Sequence, residues 1–129
     1  MRILVCGGRD FNNRSFIHST LDKLCEDRGL RGPQDQYGNW LPEGVTIISG
    51  AARGADTHAS DWAVTNWCEL EEYPADWKTY GKKAGYLRNQ QMLDEGKPNL
   101  VVAFPGGKGT KMMVDIAKKA GVEVLEIQE

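Results

Sequence analysis

Short apolar runs alternate along this chain with longer stretches in which apolar residues recur at helical spacing. The runs at residues 3–6, 45–48 and 100–104 consist mostly of leucine and β-branched residues, which is typical of buried strands. Weaker runs predict two more strands, at about residues 69–73 and 122–127. The helical stretches between these runs indicate that strands and helices alternate through the whole chain.

The helical stretches predict the remaining elements. We expect helices at about residues 13–28, 55–67, 85–95 and from a loop at 105–110 to about residue 120. Residues 30–43 hold two prolines and two glycines without any period, so we expect a surface loop or small excursion there. Alternating strands and helices predict a parallel sheet with helices on both faces. The length suits a single domain spanning residues 1–129.

Three of the predicted strands run directly into glycine-rich loops, at residues 7–10, 49–56 and 105–110. If these strands are parallel neighbours, the loops emerge together at the carboxyl edge of the sheet, where open α/β folds bind ligands. The third loop leads into an amphipathic helix, and the start of a helix offers unpaired N–H groups and partial positive charge to a phosphate. The pattern therefore predicts a nucleotide site, although each glycine alone can simply make a tight turn.

Composition places the chain among ordinary globular proteins, with 40% hydrophobic and 26% charged residues. No apolar run approaches the ~20 residues of a membrane span, and the N-terminus lacks the layout of a signal peptide. We therefore expect a cytoplasmic protein with no membrane partner. The three cysteines are too widely spaced for a zinc motif or a disulfide framework, so we expect no metal site.

The net charge of −2 argues against a general nucleic-acid-binding surface. Basic residues nevertheless gather in or beside the glycine loops: Arg9, Arg53, Lys78, Lys82, Lys83, Arg88, Lys108 and Lys111. A local basic pocket in an acidic protein suits a small anion better than a long polyanion.

Several side chains near these loops have two competing interpretations. Asp56 can cap the helix after its loop or hold a ribose hydroxyl, and Thr110 can cap its own helix or bind a phosphate oxygen. Arg88 can grip a phosphate with two hydrogen bonds or form an ion pair with Asp94 or Glu95.

Aromatic residues interleave with lysines between residues 77 and 86. Trp77, Tyr80 and Tyr86 alternate with Lys78, Lys82 and Lys83, a mixture that can stack on a base and attract a phosphate. Trp77 can equally serve as a core anchor.

Four segments in order resemble the YspA-like branch of the SLOG superfamily, which takes its name from its Smf/DprA and LOG members. They are Gly7-Gly-Arg-Asp-Phe11, Ser49-Gly-Ala-Ala-Arg-Gly-Ala-Asp56, residues 75–77 with 81–85 and 88–89, and Pro105-Gly-Gly-Lys-Gly-Thr110. The resemblance covers nearly the whole chain except residues 30–43. It implies a Rossmann-like, three-layer α/β sandwich with a mostly parallel five-stranded sheet and a site for a nucleotide or nucleotide-derived ligand.

The glycine loops and the resemblance together define a predicted ligand site. Its residues are Gly7, Gly8, Arg9, Gly50, Arg53, Gly54, Asp56, Trp77, Arg88, Asn89, Pro105, Gly106, Gly107, Lys108, Gly109 and Thr110. We expect a phosphate over the glycines of residues 106–109 and Thr110, with Arg88 and Lys108 balancing its charge. No additional cofactor is expected.

The resemblance leaves the activity open. LOG members are hydrolases that release a base from a nucleoside monophosphate, others are thought to sense ligands related to NAD or ADP-ribose, and DprA-type members bind single-stranded DNA. Arg88 and Met92 match the R-x-x-x-M context of LOG enzymes, but Met112 stands where those enzymes have a glutamate. A thioether cannot replace a catalytic carboxylate.

We therefore expect a binding module that acts as sensor, carrier or sequestering protein. The alternative is a phosphoribohydrolase whose catalytic residues come from Arg88, Asp10 and Asp56, and a third reading is single-stranded DNA binding. Apolar helix faces and the resemblance are compatible with a homodimer.

Overall fold

The computed structural model describes all residues from 1 to 129. Its elements in chain order are β1 (Arg2–Cys6), α1 (Arg14–Asp27), β2 (Arg31–Gln34), β3 (Trp40–Pro42), β4 (Thr46–Ser49), α2 (Ala55–Thr65), β5 (Glu69–Glu72), α3 (Trp77–Tyr80), a 3-10 turn (Gly81–Lys83), α4 (Ala84–Gly96), β6 (Leu100–Ala103), α5 (Lys108–Lys119) and β7 (Glu123–Glu126). Every strand and long helix expected from the periodicity is present.

Five strands form one sheet in the order β5-β4-β1-β6-β7, and every pairing in it is parallel. The register pairs Val5 with Ser49 and Cys6 with Ala103, so β1, β4 and β6 end level with one another. The three glycine loops therefore meet at the carboxyl edge, as expected. The chain first builds the sheet to one side of β1 and then crosses to the other, which puts the reversal of strand order between β1 and β6.

Helices cover both faces of this sheet, which gives the expected Rossmann-like sandwich. Successive β1 side chains point to opposite faces, so Ile3 and Val5 join one core while Leu4 and Cys6 join the other. The first core contains α1 and α2, with Ile17, Leu21, Ala59 and Trp62 among its buried residues. The second contains α4 and α5, with Met92, Met113, Val114 and Ala117. None of the helices has the length and apolar character needed to cross a membrane.

Residues 30–43 are more ordered than their composition predicts. They form an antiparallel hairpin of β2 and β3 instead of an irregular loop. The side chain of Asp35 accepts hydrogen bonds from the N–H groups of Tyr37 and Asn39, at 2.8 and 2.9 Å, and Gly38 adopts a φ of +81°. This local turn chemistry closes the hairpin, whose strands are too short to show a hydrophobic period.

Two predicted boundaries at the carboxyl edge need correction. Helix α5 begins at Lys108, inside the segment expected to be a loop, so Lys108, Gly109 and Thr110 form its first turn. The segment before α4, expected only to be rich in lysine and aromatics, contains the short helix α3 and the 3-10 turn. The predicted site residues Gly109 and Thr110 therefore lie in the first turn of α5, and Trp77 lies in α3.

Candidate functional site

The glycine loops surround a cleft of about 330 Å³ at the carboxyl edge, next to the reversal of strand order. This volume lies in the range of about 300–1,000 Å³ usual for small-molecule sites. Ten of the residues predicted for the ligand site line the cleft: Gly7, Gly8, Arg9, Asp56, Trp77, Arg88, Asn89, Gly107, Gly109 and Thr110. The cleft is the place where the sequence predicts a ligand.

Gly8 holds the three loops together through its backbone. Its N–H donates to the carbonyl of Pro105 at 2.8 Å, and its carbonyl accepts from the N–H of Ala55 at 3.2 Å. Gly54 completes the packing, because a Cβ at this residue would lie 2.4 Å from the carbonyl oxygens of Gly8 and Arg9. The loops after β1, β4 and β6 therefore form one backbone framework.

The N-terminus of α5 opens toward the cleft without a side-chain cap. Gly107 is its N-cap residue and has no side chain to bond the first-turn N–H groups, whereas Asn13 caps α1 and Asp76 caps α3. A Cβ built at Gly107 or Gly109 would meet nothing within 4 Å. The first-turn N–H groups lack intrahelical partners and are accessible, which is the geometry that binds anions.

Arg88 crosses the cleft from α4 to the other loops. Its guanidinium donates to the carbonyl of Gly50 and, through Nε, to the side-chain oxygen of Asn89 at 3.1 Å. Asn89 is buried and its Nδ2 donates to the carbonyl of Gly109 at 3.2 Å, which links α4 to α5. The orientation of the guanidinium is therefore fixed before any ligand arrives.

The alternative role for Arg88, an ion pair with an acid on its own helix, is not adopted. Asp94 accepts from Gln90 at 3.0 Å and Glu95 from Gln91 at 2.8 Å. Burial lowers the pKa of Arg88 from its usual value, and the opposing influence comes from the nearby carboxylate of Asp56.

Asp56 supplies a buried carboxyl group to the same cleft. Its Oδ2 accepts from the N–H of Ala52 at 3.2 Å, a bond to the loop before α2, whereas the first turn of α2 itself has no side-chain cap. Burial raises the pKa of Asp56 to about 6, against the opposing effects of the Ala52 hydrogen bond and of Arg88. The ionised side chain therefore costs folding free energy at neutral pH.

This pKa predicts how the free energy of unfolding depends on pH. Because the folded-state pKa of Asp56 lies above its unfolded value, the favourable protonated state is fully present below about pH 4 and its contribution is lost as pH rises to about 6. We expect Asp56→Asn to stabilise the protein by up to about 3 kcal/mol at pH 7 and by almost nothing at pH 4. Urea denaturation at both pH values measures this, and equal effects at the two pH values would contradict it.

Aromatic and basic side chains form the outer wall of the cleft. Trp77 is 46% exposed, so it is not a core anchor, and the guanidinium carbon of Arg9 lies 4.8 Å from its ring centroid. Lys82 and Tyr86 line the cleft beside it. This wall combines a flat ring surface with positive charge.

The other predicted site residues support the cleft from outside or lie on the surface. They are Asp10, Gly50, Arg53, Gly54, Pro105, Gly106 and Lys108. Asp10 and Arg53 form an exposed ion pair at 3.3 Å, and Lys108 is also exposed. Gly106 packs so closely that its Cβ would lie 2.2 Å from the hydroxyl of Thr110.

Six further residues line the cleft: Cys6, Ala52, Lys82, Gly85, Tyr86 and Met92. Lys82 and Tyr86 carried a signal in the sequence, as part of the aromatic and lysine segment. Cys6 looked like a core residue, and it is indeed buried at the end of β1, where burial raises the pKa of its thiol. Gly85 had no separate signal, but a Cβ there would lie 3.2 Å from the Trp77 ring, so it leaves room for that ring.

Comparison with known proteins gives two matches and one negative result. The model of the family described as "YspA, cpYpsA-related SLOG family" matches residues 1–80. The chain is 33% identical over 135 aligned residues to the Gene 61 protein of Mycobacterium phage D29, with 96% of this chain and 94% of that protein covered. No solved structure matches the chain.

Proposed function

Because this chain belongs to the YspA, cpYpsA-related SLOG family, we propose that it binds a nucleotide or nucleotide-derived ligand, such as an ADP-ribose-like molecule, in the carboxyl-edge cleft. Membership in this family suggests a nucleotide-related role. We further propose that the protein acts as a sensor, carrier or sequestering module.

The observation that carries the proposal is the excess of positive charge around an uncapped helix N-terminus. Three cationic side chains, Arg9, Lys82 and Arg88, line the cleft with only one carboxylate, Asp56. The N-terminus of α5 adds N–H donors to the same space. Fixed N–H groups and a preoriented guanidinium favour a phosphate over a neutral ligand.

The rest of the cleft supports a nucleoside attached to that phosphate. The exposed rings of Trp77 and Tyr86 offer a face on which a base can stack. Only Oδ2 of Asp56 is engaged, by the N–H of Ala52, so its other oxygen is free to accept a ribose hydroxyl. These features favour a nucleotide over inorganic phosphate alone.

The test is native mass spectrometry of the purified protein, followed by thermal shift with nucleoside mono- and diphosphates, NAD and ADP-ribose. We expect a bound mass or a selective rise in Tm with one member of this panel. Inorganic phosphate and the matching nucleosides serve as controls for the two halves of the ligand. Equal Tm values with every compound would contradict the proposal.

One observation favours hydrolysis as a second candidate function. Asp56 is a buried acid whose pKa is raised to about 6, and its charge interacts with that of Arg88 in the same cleft. A carboxyl group that titrates near neutral pH is suited to proton transfer. In this alternative Asp56 would take the catalytic role of the glutamate whose position Met112 occupies.

We expect the unmodified protein to release no base from nucleoside monophosphates, and Met112→Glu tests why. The Sδ of Met112 lies 3.5 Å from Nδ2 of Asn89, so a carboxylate introduced there would lie beside the cleft. If the missing carboxylate is what prevents catalysis, Met112→Glu gains base release while Met112→Gln does not. Chromatography after long incubation measures this, and turnover by the parent protein would favour the hydrolase.

A further inference from the structure

A groove at the amino edge of the sheet, at the opposite end from the cleft, exposes two tryptophan rings. Helices α1 and α2 run back from the carboxyl edge, so their ends and the β2–β3 hairpin lie together here and enclose a volume of about 580 Å³. Trp40 and Trp67 line this amino-edge groove and are 45% and 86% exposed. Tyr37 at the tip of the hairpin is 78% exposed. Clustered exposed aromatics mark interaction surfaces.

Trp67 occupies a backbone position that disfavours it. It follows Asn66, the C-cap of α2, and has a φ of +58°, which is the left-handed conformation that usually selects glycine at this position. The ring contributes almost nothing to the free energy of folding, because most of it remains exposed to water. The backbone bonds that end α2, from the N–H of Trp67 to the carbonyl of Val64 at 3.2 Å and from that of Cys68 to Ala63 at 2.9 Å, account for this φ. They do not account for a tryptophan here, so a contact outside the chain explains the exposed ring better.

The charge of the groove indicates what kind of partner fits. Three carboxylate residues line it: Asp22, Glu26 and Asp35. The one lining cation, Arg31, already has two partners within the chain. Its Nη1 lies 3.5 Å from Oε1 of Glu26, and its guanidinium carbon lies 4.5 Å from the ring centroid of Trp40. The groove therefore presents aromatic rings together with unneutralised negative charge.

We propose that the amino-edge groove binds a lysine- and arginine-containing segment of a partner protein, with Trp67 as the central anchor. An incoming guanidinium can stack on Trp67 as Arg31 stacks on Trp40 within this chain. Lysine and arginine side chains then pair with the carboxylates along the groove. This surface is separate from the cleft and does not depend on which ligand the cleft binds.

Calorimetry with a synthetic peptide of arginine, lysine and serine tests the proposal, and the same peptide with glutamate at the basic positions is its control. We expect the basic peptide to bind and the acidic one not to bind. Trp67→Gly should weaken binding at least tenfold while raising Tm by about 2–4 °C, because glycine adopts this φ without strain. A more stable variant that has lost binding cannot be explained by misfolding.

Two further variants test the role of charge and the specificity of the groove. Asp35→Asn keeps an acceptor for the N–H groups of Tyr37 and Asn39 but removes a charge, so binding should weaken severalfold. Leu87→Ala removes an exposed apolar side chain outside the groove and should leave binding unchanged. Equal affinity for both peptides, or parental affinity in Trp67→Gly, would overturn the proposal. So would a dimer that Trp67→Gly dissociates, because the occupant would then be a second copy of this chain.

Discussion

Gly107→Asp should weaken ligand binding at least a hundredfold and leave the fold intact. Aspartate is a favourable N-cap residue, so its carboxylate would bond the first-turn N–H groups of α5 and repel an incoming phosphate. A Cβ at Gly107 meets nothing within 4 Å, and φ there is negative at −101°, so the site has room for a side chain. Losing more than one hydrogen bond to a charged group corresponds to about 3 kcal/mol.

Matched variants at the same position separate charge from size. Gly107→Ala adds a Cβ and leaves the N–H groups free, so its affinity should stay near that of the parent. Gly107→Asn caps the helix without a negative charge, and its affinity should fall between those of the alanine and aspartate variants. Calorimetry and urea denaturation measure affinity and folding separately. If a nucleotide stabilises Gly107→Asp as much as the parent, the N-terminus of α5 does not belong to the site.

Arg88→Ala should weaken binding tenfold to a hundredfold. A hydrogen bond to a charged group contributes roughly 1.5–3 kcal/mol, and the bonds to Gly50 and Asn89 hold this guanidinium in place before the ligand binds. Arg88→Lys keeps the charge but loses the planar, two-pronged donor, so it should recover only part of the affinity. In a binding module these losses appear in calorimetry without release of free base.

A control variant and an NMR titration accompany this prediction. Lys83→Ala removes an exposed cation that does not line the cleft, and its affinity should equal that of the parent. Removing Arg88 also removes an influence that lowers the pKa of Asp56, so this pKa should rise further, as NMR titration of the Asp56 carboxyl would report. Unchanged affinity in Arg88→Ala would remove the guanidinium from the site.

The sequence predicted the sheet well because its signals were local and repeated. Each central strand is a compact apolar run followed by glycine, and three such units in parallel order leave little freedom in where the loops meet. The sequence did not predict the hairpin of residues 30–43, because its strands are too short to show a hydrophobic period. Pro33 lies within β2, and the turn depends on the single side chain of Asp35, which composition does not distinguish from a loop.

The candidate site was predictable only in part. Glycine loops indicated the edge of the sheet where the cleft lies, whereas Lys108 and Asp10 are exposed and outside the cleft lining. Periodicity does not tell which way a side chain leaves the first turn of a helix or a short loop. Cys6 lines the cleft because of how neighbouring elements pack, and no local pattern carries that information.

The hydrogen bonds that join the three loops through Gly8 involve only main-chain atoms. The side chains of Trp77, Lys82 and Tyr86 take no part in these bonds, so they can be exchanged without breaking this backbone framework. Trp77, Lys82 and Tyr86 all come from one continuous stretch between β5 and β6. We expect substitutions in this stretch to change which base is bound, while the backbone framework and the α5 N-terminus continue to bind the phosphate.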